Sequence, residues 1–575
     1  MIGQDPTAAD RKQLGCFYWL FGPEGDARTR RLLLLILFPA LVLTGTLRFD
    51  FVFDDNLVIL GDPLVVMQFN PKEIFGSEVR VADVALGYYR PLITLLYRMD
   101  RALWGLNPAG YHLTNLAWHL LATFLVYQLA LRTTGQLVAA WTGAMLFSVL
   151  PAHTEAIGWI QGRVDLVSTA FALLALLALV RARDANGPAG WPWAALAGLA
   201  FLAALLAKES AAALPLAWSI WEISASGKGP WRERLAPLAC RFVPLCLAGL
   251  VYWQLRWWAV GTSLSFFSMS VSQVVLRGLA LLSILAEYGR ILLFPDLTLN
   301  FHQTLMVAPT PLTLVACLAV VVVLGGGLAI TWRRVRPLFP WAAWMPIMLL
   351  PSSLFILHTA APEIGFFTAE RFLYLPSVGW CVLLGSLIAP AIEGHRRVPS
   401  SSWRVMIFCG TLLGYTGLTL IRLLPWADAA DLYVAMKAQA NMPTATRVLV
   451  HNNLGKVYLE QGEISAARQE FQVALRLRPE YASSHNNLGV LLLREGQPAE
   501  ARLWIERAIR LDPNYGEAYG NLGAAYEALG DLSAARQAFE RGLRVTPDSA
   551  FLAKGLARVN DESTSPAIPR AGVSR

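Results

Sequence analysis

Apolar residues run in long blocks along the first three quarters of the chain, broken by short polar stretches, and then give way to a shorter, amphipathic period. A helix needs about 20 mostly apolar residues to cross the hydrocarbon core of a bilayer. Blocks near 31–48, 112–131, 137–150, 164–180, 191–207, 210–222, 238–261, 273–294, 311–332, 340–357, 371–391 and 404–423 meet or approach that length. Two of them, 137–150 and 210–222, are short, which predicts tilted, kinked or partly re-entrant helices. Beyond residue 449 the pattern repeats: Leu454-Gly455, Leu488-Gly489 and Leu522-Gly523 recur with a 34-residue period, and Pro479, Pro513 and Pro547 keep it. Each unit spells a tetratricopeptide repeat, as in Leu454, Gly455, Tyr458, Ala467, Phe471 and Pro479. The small residues allow close helix packing and the proline ends the second helix. The expected fold is therefore all-α, a polytopic transmembrane bundle over 31–424 followed by a C-terminal α-solenoid. That solenoid comprises a linker and degenerate half-repeat at 425–448, three repeats with a capping helix at 449–560, and a disordered tail at 561–575.

Composition agrees with this division. Of the 575 residues 55% are apolar and 15% charged, with a mean hydropathy of +0.46, too apolar for a soluble domain. The net charge of +8 marks cytoplasmic loops in a membrane protein, so nucleic acid is excluded as a partner. Short cytoplasmic loops retain Lys and Arg, which puts Arg28 to Arg31, Arg132, Arg181 with Arg183, Lys228 to Arg241, Arg333 to Arg336 and Arg396 to Arg404 inside. Every interval between these loops then needs an even number of crossings. Only Arg241 to Arg333 fails, with three candidates, so about eleven crossings are expected. The external loops become 49–111, 151–163, the surroundings of Lys208 and 358–370, on the same side as the repeats. Residues 1–30 form a cytoplasmic segment, ordered wrongly for a cleaved signal peptide. The six cysteines lie in or beside apolar blocks with no CxxC pair, so neither a disulfide framework nor a zinc site is expected.

Ionisable groups beside spans are costly and default to functional candidates. Phe53-Asp54-Asp55 follows the first span, and two adjacent carboxylates offer a general base, since one charge raises the other's pKa. Tyr89-Arg90-Pro91-Leu92 precedes Tyr111-His112, Asn115 and His119, the last three on one helical face; interhelical hydrogen bonding is their expected role ahead of metal ligation. Pro151-Ala152-His153-Thr154-Glu155 leads to Arg163 and Asp165. Lys208-Glu209 and Glu370-Arg371-Phe372-Leu373-Tyr374-Leu375-Pro376 complete the set. In the repeats, Asn452, Asn453, Asn486, Asn487 and Asn521 sit on first helices, where they either bind a peptide backbone or stabilise inter-repeat packing.

This series, with Gly110-Tyr111-His112-Leu113-Thr114-Asn115 and Gly162-Arg163-Val164-Asp165, resembles the transmembrane O-mannosyltransferases that carry tetratricopeptide repeats, members of the class C glycosyltransferases. The resemblance covers nearly the whole chain in order. It implies transfer of mannose or another hexose from a polyprenyl-phosphate carrier to a protein Ser or Thr hydroxyl on the extracytoplasmic face. Asp54 matches the first acidic position of the family's loop motif and is the implied base, with Asp55 as fallback or orienting partner. The guanidinium fork of Arg371 is the first choice for the lipid phosphate, and Arg90, Lys208 and Arg163 are alternatives. Glu370, His153, Glu155 and Asp165 are implied around the donor. Asn453, Asn487 and Asn521 are the acceptor- or partner-binding candidates. No metal ligands are assigned and a divalent-metal requirement is left open. The membrane is read as the bacterial inner membrane from the Arg-over-Lys bias, or the endoplasmic reticulum in a eukaryote. The competing expectations are a non-catalytic repeat scaffold and a lipid-linked sugar transporter. A transporter predicts polar residues throughout the span interiors, whereas here they gather at one face.

Overall fold

The computed structural model describes residues 25–564 apart from 67–68, 82–83, 86, 186, 226–230, 262–270, 298–302, 306–309, 360–365, 393–401, 440–441 and 548. The chain divides into two compact units, Met1–Asp428 and Ala429–Arg575.

In the first unit the apolar blocks become helices: α1 (Gly25–Leu43), α2 (Pro91–Trp104), α3 (Pro108–Thr134), α4 (Leu137–Ser148), α5 (Arg163–Ala185), α6 (Trp191–Ala207), α7 (Leu214–Ala225), α8 (Trp231–Val260), α9 (Val271–Leu293), α10 (Pro311–Arg334), α11 (Phe339–Thr359), α12 (Ser377–Ile392) and α13 (Ser402–Leu423). Among the described residues six helices are long and apolar enough to span a membrane, or seven if a bent pair counts as one. That pair is α4 with the segment Pro151–Gly158, broken by 50°, and it is the short block whose kink the sequence predicts. The chain is a multi-pass membrane protein, and its helices follow the predicted order of blocks. The wide contrast in enclosure places them: 89% of the apolar window of α5 is buried against 6% for α10. Lipid-like side chains on α10 have no protein to bury against, so that helix forms the rim.

Two features differ from the expected pattern. The loop after α1 contains α2, an amphipathic helix with Ile93, Tyr97 and Asp100 buried and Met99, Leu103 and Trp104 exposed; its alternation of charge and apolar residues falls below any span threshold. Two small antiparallel ribbons also occur, β1 (Arg80–Val81) with β2 (Val84–Ala85) and β3 (Gln303–Leu305) with β4 (Phe366–Thr368). The register Gln303↔Thr368 ends β4 three residues before Arg371. Of the cysteines, Cys240, Cys317 and Cys381 are buried and Cys246 and Cys409 exposed; Cys16 lies outside the described residues.

The second unit opens with α14 (Ala429–Lys437), then pairs α15 (Thr444–Glu460) with α16 (Ile464–Leu477), α17 (Ala482–Arg494) with α18 (Pro498–Leu511) and α19 (Gly516–Ala528) with α20 (Leu532–Val545), and closes with α21 (Ala550–Thr564). The period is a packing requirement. A Cβ at Gly455, Gly489 or Gly523 would lie 2.4 to 2.6 Å from Phe471, Ile505 or Phe539 on the paired helix, closer than any real contact. The tail at 565–575 lies outside the described residues.

Candidate active site

The loop after α1 turns sharply at Phe53, whose φ of 54° makes it the one non-glycine residue with positive φ among the described residues. A bulky residue in this region costs of order 1–3 kcal/mol and persists only when its surroundings hold it. The Phe53 ring meets the edge of Trp159, centroids 5.6 Å apart. The next residue, Asp54, is half-buried. Burial raises its pKa to about 6, opposed by the charge of Arg371. Asp55, by contrast, is fully buried and accepts from the Val52 and Gln161 backbone N–H groups, each at 3.1 Å. Burial pushes its pKa up to about 8 against those two bonds. The two adjacent acids thus divide: Asp55 fastens the loop to the segment before α5, and Asp54 lies within the field of Arg371.

Arg371 sits on the short turn between β4 and α12. Its guanidinium and its backbone N–H, the latter at 2.9 Å, both donate to the buried carboxylate of Glu155. The guanidinium carbon lies 5.4 Å from the Trp159 ring centroid and 5.2 Å from that of Phe372. Lys208, at the end of α6, pairs with Asp165 at 2.5 Å and lies 4.9 Å from the other partner of this stack, Phe372. Arg90 pairs with Glu209 through two nitrogens, at 2.8 and 3.3 Å, and lies 4.4 Å from the Tyr88 ring. These groups share one field: Lys208 feels Arg90 and Arg371 as well as Asp165, and Tyr88 feels Arg90 and Arg371. Asp54, Arg90, Glu155, Asp165, Lys208, Glu209 and Arg371, from five segments far apart in sequence, therefore form one cluster of three cations, each clamped by a carboxylate. Each carboxylate holds its cation at a fixed position.

Three predicted residues fall outside it. Arg163 is completely buried and pairs with Asp100 at 2.6 Å, the Asn115 side chain at 2.7 Å and the Tyr111 carbonyl at 2.9 Å, so it ties α5 to α2 and α3. His153 is likewise enclosed, with Nε2 2.8 Å from the Ser377 hydroxyl, and it supports the turn that carries Arg371. Glu370 is buried against Arg422 rather than facing the cluster. His119 bridges the Tyr374 hydroxyl at 2.7 Å and the Ser148 carbonyl at 2.9 Å, the interhelical role expected of that face. No three His, Cys, Asp or Glu side chains are grouped to hold a metal ion among the described residues.

In the repeats the asparagines form a ladder. The Asn452 side-chain oxygen accepts from Ser484 at 2.9 Å and Asn487 at 3.0 Å, the Asn486 oxygen accepts from Asn521 at 2.9 Å, and Asn453 donates to Tyr433 at 3.2 Å. Asn453, Asn487 and Asn521 thus hydrogen-bond between helices of successive units.

The residues missed by sequence reasoning are aromatic. The rings of Tyr88 and Trp159 lie 4.4 and 5.4 Å from the Arg90 and Arg371 guanidinium carbons, and the Phe53 ring, beside Asp54 in the chain, packs on Trp159. A bulky ring next to an intramembrane ion is the available signal, weak because aromatic residues are common throughout the chain.

Tetratricopeptide-repeat family profiles match residues 452–516 and 492–559. Curated relatives extend the match across the membrane unit. Protein O-mannosyl-transferase Tmtc1 of Drosophila melanogaster is 29% identical over 76% of this chain and 60% of its own length. Protein O-mannosyl-transferase F38B6.6 of Caenorhabditis elegans is 26% identical over 79% and 63%, and TMTC2 of Mus musculus 26% over 76% and 61%. The chain spans about three fifths of the length of these relatives. A solved structure, ArnT from Cupriavidus metallidurans bound to undecaprenyl phosphate, aligns with 85% of this chain and 81% of its own at 15% identity and a TM-score of 0.39, too distant to bear on fold or function. Across its membrane unit and repeats the chain is thus similar to the transmembrane and tetratricopeptide-repeat protein O-mannosyl-transferases.

Proposed function

We propose that the chain is a membrane glycosyltransferase that moves a hexose, mannose in the first instance, from a polyprenyl-phosphate carrier to a protein Ser or Thr hydroxyl at the extracytoplasmic face. The observation that carries this reading is Asp54, next to the strained turn at Phe53 and within the field of Arg371, whose guanidinium Glu155 holds. A hydroxyl is a weak nucleophile until a positioned base accepts its proton, and a base titrating near the working pH does so best. Asp54, raised to about 6, has that property. The acceptor oxygen bonds to the anomeric carbon as the bond from that carbon to the phosphate oxygen breaks, inverting the centre. The hydroxyl proton goes to Asp54, and the polyprenyl phosphate leaves with its charge on Arg371, supported by Lys208 and Arg90. Glu155, Asp165 and Glu209 keep those cations aligned. The repeats supply acceptor affinity that a single hydroxyl lacks. The names of the relatives support the choice of mannose and of a protein acceptor.

The test is transfer of label from polyprenyl-phosphate mannose to endogenous protein in vesicles, comparing the native chain with Asp54→Asn at matched expression. Loss of a general base costs about 10²–10⁴-fold in rate, so label falls to background in the variant. Equal labelling in both would remove Asp54 from the role.

A further inference from the structure

The end of the membrane unit touches three of the segments that build the site, those of Asp54, Glu155 and Arg371. Along α13 and the turn after it, Thr419 donates to the Val149 carbonyl at 2.8 Å, just before the segment that carries His153 and Glu155. Arg422, buried, pairs with Glu370, the neighbour of Arg371. Trp426 is fully buried and stacks on Trp159 with centroids 6.2 Å apart and planes 21° from parallel. The approach is so close that a Cβ on Gly158 would lie 2.8 Å from the Trp426 ring. The Ala427 carbonyl accepts from Asp50 N–H at 2.9 Å, four residues before Asp54. The opposite side of this arrangement is the site itself, since Trp159 carries both the Arg371 guanidinium and the Phe53 ring.

We propose that residues 419–427, with Trp426 as the principal positioning residue, form a strut that fixes Asp54 relative to Arg371, so that the segment leading into the repeats also sets the geometry of the transfer site. Trp426 touches no reacting atom; it acts through Trp159. Rotating or withdrawing it loosens the stack on one side and the Asp50 tether on the other, so both partners of the reaction lose their mutual register. A base and a phosphate clamp displaced by about 1 Å cost about a hundredfold in turnover. The second compact unit begins directly after this segment, at Ala429.

The proposal rests on the transferase reading only for its activity readout, and its test therefore has two. The full chain in nanodiscs is compared as native, Trp426→Ala and Trp426→Phe. Hydrogen exchange is followed in peptides covering 48–56 and 366–376, and transfer is followed against acceptor concentration and pH. In Trp426→Ala exchange rises in both peptides, kcat falls about a hundredfold, and acceptor KM stays within about twofold. The acidic limb of the rate moves to higher pH, because Asp54 loses the nearby Arg371 charge that favours its ionised form. Trp426→Phe, which keeps a stacking face, restores most of the exchange protection and rate. Unchanged exchange in both peptides of Trp426→Ala overturns the strut, as does a lower kcat with an unmoved acidic limb. If the native protein transfers no label, the transferase reading fails while the exchange comparison still decides the strut; equal transfer by native protein and Asp54→Asn removes Asp54 as the base. Should Trp426→Ala not insert, Trp426→Leu takes its place with the same expected outcomes.

Discussion

Adjacent residues of one chemical type take opposite roles here because burial differs over one residue. Asp55 is enclosed and bonded to two backbone donors, so it organises the loop; Asp54 keeps a face toward Arg371. The same division separates Arg163, surrounded by Asp100, Asn115 and Tyr111, from Arg371, which remains at the cluster. The Asp55 carboxyl also makes a stability prediction. Its folded pKa, about 8, exceeds the ordinary value of 3.8, so its protonated form favours folding: the contribution is complete below 3.8 and is lost as pH rises toward 8. Within that window each pH unit removes up to about 1.4 kcal/mol. Thermal unfolding of the solubilised protein should therefore show a melting temperature that falls from pH 5 to 8 more steeply for the native chain than for Asp55→Asn. Parallel profiles would mean that Asp55 is ionised and fully compensated in the fold.

At the level of elements, shared side-chain acceptors link the repeats alongside their apolar packing. Asn452 on α15 receives two donors from α17, Ser484 and Asn487, and both are buried. Asn452→Ala leaves these donors unsatisfied, a loss of about 1–3 kcal/mol. Hydrogen exchange of the full chain should show faster exchange in 482–494 for this variant, and little change for Asn453→Ala, whose partner Tyr433 lies on α14. Equal protection in the two variants would sink the ladder as a source of stability. The 34-residue period was legible in the sequence because each glycine and proline in it answers a local steric demand. The bonding between asparagines was not, since one Asn on a first helix serves a peptide or a neighbour equally well until the superhelical stacking is known.

For the molecule as a whole, the basic loops predict one sidedness, and it is testable independently of chemistry. In right-side-out vesicles a C-terminal epitope should be removed by added protease, while an epitope inserted between Arg183 and Asp184 should be removed only after inversion. The reverse pattern would move the proposed acceptor site to the cytoplasmic face. The spans set this frame, yet the site is assembled from residues near 54, 90, 155, 208 and 371 brought together by the ends of α1, α2, α4, α6 and the turn before α12. Their proximity was visible in sequence only as a shared side of the membrane, because a helix bundle of given order still admits many azimuthal arrangements of its loops.

What the sequence determined by itself follows from short-range physics. Apolar length decides which segments enter lipid, and the basic loops set only the expected sidedness. The 34-residue spacing of Leu-Gly and Pro decides the solenoid. Tertiary structure alone decided which ionisable groups are structural and which face the site, because that depends on enclosure by residues hundreds of positions away. Asp55 and Arg163 are indistinguishable from Asp54 and Arg371 by residue type, and only packing against Gln161, Asn115 and Trp159 separates them. The role of Trp426 belongs to the same class. A tryptophan at the end of a span reads as an interfacial anchor until the fold lays it against the ring that carries Arg371.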